Sequence, residues 1–351
     1  MLISVAVEEK AFMKKHVLVE RIAIFVLLIA VICTGFSAAQ NANEVNLTLS
    51  GTIKWAEFNI PYAAMNRALN LDVGSHNGTV QLHWVEELSY LGAKYGGNWN
   101  KYRTKDIDDL SAKLKSGQSL ESLTDPLKNY DYFYKIYNAT LGNFVGDFTV
   151  QVKDASGEFY YEQRYGLKVF SPIAAGYGYS HYDDFGSSRS FGFSRRHLGN
   201  DLMGSIGTPI VAVEGGYIES IGWNYYGGWR IGIRSFDKQR YYYYAHLRKD
   251  HPYIAGLKEG DVVRSGDVIG YLGMTGYSTT ENVNKMQKPH LHFGMQLVFD
   301  DGPRESNNEV WLNVYNIINL LARNRVPVKS GPKDYTRIYD FIDNRYQLYY
   351  E

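Results

Sequence analysis

The hydrophobic period of this chain changes once, near residue 148, and the change divides what the chain can fold into. Before it, apolar residues recur at helical spacing. Trp84, Val85, Leu88, Leu91 and Tyr95 form one such run, ended by Gly96-Gly97; Ile107, Leu110 and Leu114 form another, ended by Gly117. Thr124-Asp125-Pro126 supplies a cap and a first-position proline, so a further helix is expected from about Pro126 to Leu141. After residue 148 the chain reads as short β segments between glycine turns. Phe148–Val152 and Phe159–Tyr161 flank Asp154-Ala155-Ser156-Gly157, a hairpin signal. Pro209–Val213, Gly216–Ser220, Trp229–Ile233, Arg240–His246 and Leu291–Leu297 continue the pattern. Helical spacing returns from Glu309 to Arg323, through Val310, Val314, Ile317, Ile318 and Leu321. The expected fold is therefore α+β. A mainly helical region (40–170, closing with a hairpin) precedes an antiparallel β-rich domain (171–303) and a C-terminal helical extension (304–351).

The first 39 residues have a separate character. Ile22 to Cys33 are uninterrupted apolar side chains, preceded by Lys14, Lys15, His16 and Arg21 and followed by Ser37-Ala38-Ala39. A positive start, an apolar run and a small-residue end describe a secretory signal, with cleavage after Ala39. The alternative is an uncleaved anchor, since Ile22 to Ala39 reaches the lower length limit of a spanning helix. Both place the remaining chain outside the membrane, and only the anchor would contact lipid. Met13-Lys14-Lys15 makes a more natural signal start than Met1. Cys33 follows Ile32 rather than a small residue, which argues against lipid attachment there.

Charge and cysteine content narrow the chemistry. Lys+Arg and Asp+Glu are 37 each, so the bulk-charge signature of a general nucleic-acid binder is missing. Cys33 is the only cysteine, so neither an intrachain disulfide nor a thiolate metal cluster can form. Any metal must sit on His, Asp or Glu. Tyrosine is abundant, 30 residues against 16 phenylalanines, which suits half-buried walls with one polar end as well as ordinary packing.

Four of the nine histidines fall in three short motifs of the β region: His197-Leu-Gly-Asn-Asp201, Tyr244-Ala-His246-Leu and Pro289-His290-Leu-His292-Phe. Residues two apart on a strand point the same way, so His290 and His292 share a face. His197 and Asp201 bracket Gly199 in a turn that can bring both side chains together. Two imidazoles, one carboxylate and a water make four-coordinate zinc with an open position, the plan of a catalytic site. One histidine of the close pair is then left over beside the metal for proton transfer, and His246 supplies another. A lone H-x-H occurs often by chance; the three motifs together, in a glycine-punctuated β region, do not. His76, His83, His181 and His251 stand alone and read as structural or solvated side chains.

At these residues the sequence resembles the lysostaphin/LytM-type zinc endopeptidases, which cut peptidoglycan peptides. The resemblance covers roughly residues 172–300. Besides the histidine motifs it includes Gly207-Thr-Pro-Ile-Val-Ala-Val213, Gly215-Gly216, Gly260-Asp261, Gly266-Asp-Val-Ile-Gly270 and Gly273-Met-Thr-Gly276. It implies a LytM-like catalytic fold, one zinc ion per chain held by His197, Asp201 and His292, and His246 and His290 as catalytic histidines lining the groove. The implied partner is a peptidoglycan peptide and the implied setting is extracytoplasmic. On this pattern a protonated His246 would stabilise the oxyanion and His290 would activate water or shuttle its proton, although the two roles can be exchanged. Two insertions depart from the family, Arg248–Tyr253 and Tyr277–Pro289; both leave catalytic strands and are expected to edge the groove. A non-enzymatic envelope scaffold using the same domain for docking is the competing reading, and residues 58–145 could serve either as an autoinhibitory or as a wall-binding module.

Overall fold

The computed structural model of the chain describes residues 54–56, 58–190, 194–298 and 310–349. The apolar run and the expected cleavage site lie outside the described residues, among which no helix is long and apolar enough to cross a membrane.

The helices are α1 (Tyr62–Ser75), α2 (Trp84–Tyr95), α3 (Thr104–Lys115), α4 (Leu120–Thr124), α5 (Tyr130–Leu141) and α6 (Tyr315–Leu321). Helical spacing located α2 and α3. In α2, Trp84, Val85, Leu88 and Leu91 are buried, and Gly96 ends the helix in the left-handed conformation. The helix expected from Pro126 starts later. Asn129 adopts φ 66°, which breaks the helical path, so the cap at Thr124 instead closes the short α4.

The principal strands are β1 (Lys54–Ala56), β2 (Val145–Lys153), β3 (Phe159–Leu167), β4 (Asn200–Met203), β5 (Gly216–Asn224), β6 (Gly228–Ser235), β7 (Arg240–Ala245), β8 (His290–Leu297), β9 (Val310–Leu312) and β10 (Phe341–Asp343). The main sheet runs β1-β9-β8-β7-β6-β5 and ends on Val262–Val263, with β4 paired to the first half of β8 beyond β9. It is antiparallel except for β1 on β9. The hairpin read around Asp154 forms as β2 and β3, with Lys153 opposite Phe159. The α+β architecture, with helices first, an antiparallel sheet next and a C-terminal helix, matches the sequence reading.

Two C-terminal details differ from it. Val310–Leu312, expected to open a helix, are a strand buried on both faces and paired with β8. Asn313 then accepts a hydrogen bond from the Tyr315 amide at 3.0 Å, and α6 begins there. Beyond α6 the expected helical extension contains short strands, and β10 joins β2 as the third strand of the hairpin sheet.

Strand β7 alternates its faces. Tyr241, Tyr243 and Ala245 pack with Trp311, while Tyr242 and Tyr244 join the main core. On the core face Arg240 is fully buried and meets the buried Glu214 through Nε at 2.8 Å and Nη2 at 3.0 Å. Tyr242 and Asn143 also donate to Glu214, each at 2.5 Å. The third guanidinium nitrogen donates to the Ala139 carbonyl in α5 at 2.7 Å. Arg345 donates to Asn143 at 2.9 Å, which brings the C-terminal tail into the same network. Arg240→Ala is expected to leave Glu214 buried without a counter-charge and to cost about 3–5 kcal/mol. The check is the midpoint of urea unfolding, and an unchanged midpoint would refute this role.

Candidate metal centre and its histidine surround

Antiparallel pairing assembles the site. In β8, His290 and His292 lie two apart, and their side chains share a face. Asp201 of β4 pairs directly with His292, and Ala245 of β7 pairs with it from the other side. His197 sits on the turn that enters β4. That turn passes so close to β8 that a Cβ at Gly199 would lie 2.7 Å from both Cε1 and Nε2 of the His292 ring. Glycine is therefore required by the closeness of approach.

The donor atoms converge. His197 Nε2 is 2.8 Å from His292 Nδ1 and 3.0 Å from Asp201 Oδ1, and His292 Nδ1 is 3.2 Å from Asp201 Oδ1. A tetrahedral ion 2.0–2.1 Å from each donor would space them about 3.3 Å apart, so this triangle fits with little adjustment. Two imidazole nitrogens and one carboxylate oxygen are a borderline donor set suited to such an ion.

Burial alone would lower the His197 pKa, but the hydrogen bonds to Asp184 and Asp201 raise it to about 9. Burial alone would raise Asp201, yet hydrogen bonds from His197 and His292 hold its carboxyl far below the usual carboxylate range. Burial pushes His292 down to about 4. The metal-free centre is thus a charged His197 against an ionised Asp201, with His292 neutral.

The other two predicted residues lie beside this set. The His246 ring centroid is 4.8 Å from that of His290 and 5.9 Å from that of His292, and His290 Nε2 is 3.8 Å from Asp201 Oδ1. His246 follows the end of β7 at φ 62°, a backbone state that is uncommon outside glycine and clusters at functional sites. Its Nδ1 donates to the Thr275 carbonyl at 2.8 Å, and His290 Nδ1 donates to the Lys288 carbonyl at 2.8 Å. In the neutral rings these bonds fix the tautomer and leave each Nε2 as an acceptor. Burial, with the neighbouring His290 and His292 imidazoles acting in the same direction, drives the His246 pKa well below its ordinary value.

Two contributors had no sequence signal. Asp184 accepts from His197 Nδ1 through its backbone carbonyl at 3.1 Å and lies 3.2 Å away through its carboxylate, so it orients the imidazole. Arg189 donates to Asp184 at 2.7 Å and to Asp201 at 3.0 Å. Both come from an irregular segment without motif spacing. The two insertions are joined to each other, since Asn282 donates to Asp250 at 2.6 Å and accepts from the Asp250 amide at 2.8 Å. At the base of the second, the Tyr277 ring stacks with His246 at 6.1 Å. The remaining histidines have other partners: His251 meets Asp334 at 2.8 Å, His181 meets Asn319 at 3.4 Å, and His76 stacks on Tyr165 at 3.8 Å. His83 precedes α2 as its cap residue.

A convergent His-Asp-His donor set that could hold a metal ion is thus flanked by two further histidines. Residues 195–305 match the family described as Peptidase family M23. That match covers about a third of the chain and includes His197, Asp201, His246, His290 and His292. Over 124 residues it is 40% identical to the L-Ala–D-Glu endopeptidase of Bacillus subtilis (strain 168), a match covering 35% of this chain and 36% of that protein. It is 42% identical over 98 residues to lysostaphin of Staphylococcus simulans, covering 28% of this chain and 17% of that protein. Among solved structures, the catalytic domain of lysostaphin from Staphylococcus simulans aligns with a TM-score of 0.32 at 32% identity, covering 40% of this chain and 92% of that one. The chain thus spans little more than a third of the first curated relative and under a fifth of the other.

Two outcomes follow from this geometry. Gly199→Ala is expected to displace His292 and abolish stoichiometric metal binding, measured by metal content after dialysis; full occupancy in a folded variant would refute the close-approach argument. The second concerns pH. The His197 pKa is raised from 6.5 to about 9, so its contribution to the stability of the metal-free protein is complete below about pH 6.5 and is lost as pH rises through about 9. Metal requires the neutral imidazole, so affinity is expected to climb over the same window, with about one proton released per ion. Calorimetry in buffers of differing ionisation enthalpy reads that proton, and zero release would refute it.

Proposed function

We propose that the protein is an exported, zinc-dependent endopeptidase that hydrolyses peptide bonds of bacterial peptidoglycan, with one ion per chain. The observation that carries this reading is the pair of acceptor nitrogens, on His246 and His290, beside the His197-Asp201-His292 donor set. A surface used only for docking has no need of two buried imidazoles with carbonyl-fixed tautomers. The substrate class rests on the relatives, which are an L-Ala–D-Glu endopeptidase and lysostaphin. Export rests on the apolar run from Ile22 to Cys33 with its basic start.

His197, Asp201 and His292 would hold the ion. When bound, zinc supplies a water acidic enough to react near neutrality and a Lewis acid for the scissile carbonyl. Asp184 fixes the His197 ring, and Arg189 orients the far oxygen of Asp201. His246, held neutral by burial, is suited to accept a proton through Nε2 at the start of the reaction. That reverses the simplest reading of the motif, in which a protonated His246 stabilises the oxyanion from the outset. Once protonated, the same nitrogen becomes a donor for the oxyanion or the leaving amine. His290 Nε2 lies on the same face and can exchange a proton with the attacking or departing group. The helical region is tied in through Ala139 at the Arg240 end of β7, five residues and roughly 17 Å from the His246 end. This places that contact away from the reacting groups.

Asp201→Ala and His292→Ala are expected to lose both zinc and activity. His246→Ala and His290→Ala are expected to keep zinc while kcat falls about 10²–10⁴-fold. The measurements are zinc content and new amino groups released from muropeptides, and full turnover in either histidine variant would overturn its assigned role.

A further inference from the structure

We propose that Arg195 forms an anion subsite beside the catalytic histidines and receives a free carboxylate of an acidic stem peptide. The inference rests on the peptidase reading and deepens it by naming what selects the substrate.

Arg195 lies on the short strand Ser194–Arg196. Its guanidinium lies over the Tyr277 ring at 5.1 Å and the Tyr226 ring at 5.5 Å. Tyr277 in turn stacks on His246, with the rings 21° apart in tilt. A stack therefore runs from a reacting histidine, through one tyrosine, to a cation. Tyr226, on which the guanidinium also lies, is 41% exposed.

Two guanidiniums are disposed around the donor set, and they differ. Arg189 is neutralised by Asp184 and Asp201. Arg195 makes no ion pair or hydrogen bond among the described residues, and its buried Nε lacks an acceptor. The charged and titratable groups that act on it are Arg189, Tyr226, Tyr243 and Asp201. Of these only Asp201 is a carboxylate, and it is committed to His197, His292 and Arg189. Burial and the neighbouring Arg189 both disfavour the charge on Arg195. Tyrosine faces offset part of that cost. A planar carboxylate would satisfy it better, through a bidentate pair.

A bridge made only of glycine brings no side-chain carboxylate and would leave the guanidinium half-desolvated and unpaired. A stem peptide with a free carboxylate within about three extended residues of the scissile bond would pair with it. The α-carboxylate of a γ-linked D-glutamate is such a group.

The experiment uses two synthetic stem peptides, identical except that this α-carboxyl is free in one and amidated in the other. With the zinc-loaded full chain, kcat/KM is expected to favour the free acid by about tenfold, mainly through KM. Arg195→Gln should lose about that factor on the free acid and stay within about twofold on the amide, with Arg195→Lys recovering part of the loss. Calorimetry on the metal-free protein should show the same preference in binding, and none in Arg195→Gln. An equal fall on both peptides, or no preference in the unmodified chain, overturns the subsite and leaves Arg195 as a prop between two tyrosines. A binding preference without cleavage of either peptide keeps the subsite and overturns the peptidase reading.

Discussion

The described fold turns on a buried charge pair, Arg240 with Glu214. Burying two ions costs several kcal/mol each unless hydrogen bonds satisfy them. Here they are satisfied by the sheet and the helical region, since Glu214 accepts from Tyr242 and Asn143 and Arg240 donates into α5; the tail joins through Arg345, which donates to Asn143. The pair therefore requires the helical region, the sheet and the tail to be in place together. It also pins one end of β7, whose other end leads into His246. A strand that slipped by one residue would turn its side chains to the opposite face, and the Ala245–His292–Asp201 register would fail with it. A charge pair at the far end of β7 thus helps to hold the alignment of His246 with the donor set.

The donor set has an electrostatic logic of its own. Removing the ion does not leave two carboxylates and two imidazoles to repel one another, because His197 takes up a proton between Asp184 and Asp201. His197 stands between the two carboxylates, and Arg189 balances the second. The same arrangement leaves His246 and His290 free of carboxylate hydrogen bonds, with their acceptor nitrogens available.

Much of this was legible in the sequence where the signal is local. The H-x-H of β8 puts two rings on one face by strand period alone, and the turn around Gly199 places His197 near Asp201. Helices α2 and α3 and the β2–β3 hairpin follow from spacing and turn chemistry. The misses are non-local. Val310, Val314 and Ile317 satisfy helical spacing, yet Val310–Leu312 is a strand, because a strand buried on both faces is a continuous apolar run that periodicity cannot separate from a helix. Strand β10 owes its form to pairing with β2, almost two hundred residues earlier in the chain. Asp184 and Arg189 reach the centre from a segment with only short strands, where no spacing rule applies. The family resemblance points to His197, Asp201 and His292 but gives no account of these two.

The pairing of β2 with β10 bears on how the chain is made. Synthesis proceeds from the amino end, and contacts between distant segments form slowly. The outer edge of β2 therefore has no strand partner until Phe341–Asp343 emerge, and Lys168 waits equally long for Asp343, which it meets at 2.7 Å. The molecule cannot lock from its amino end as it is synthesised. Completion of the core waits for β10, which follows His197, Asp201, His246, His290 and His292 in the chain.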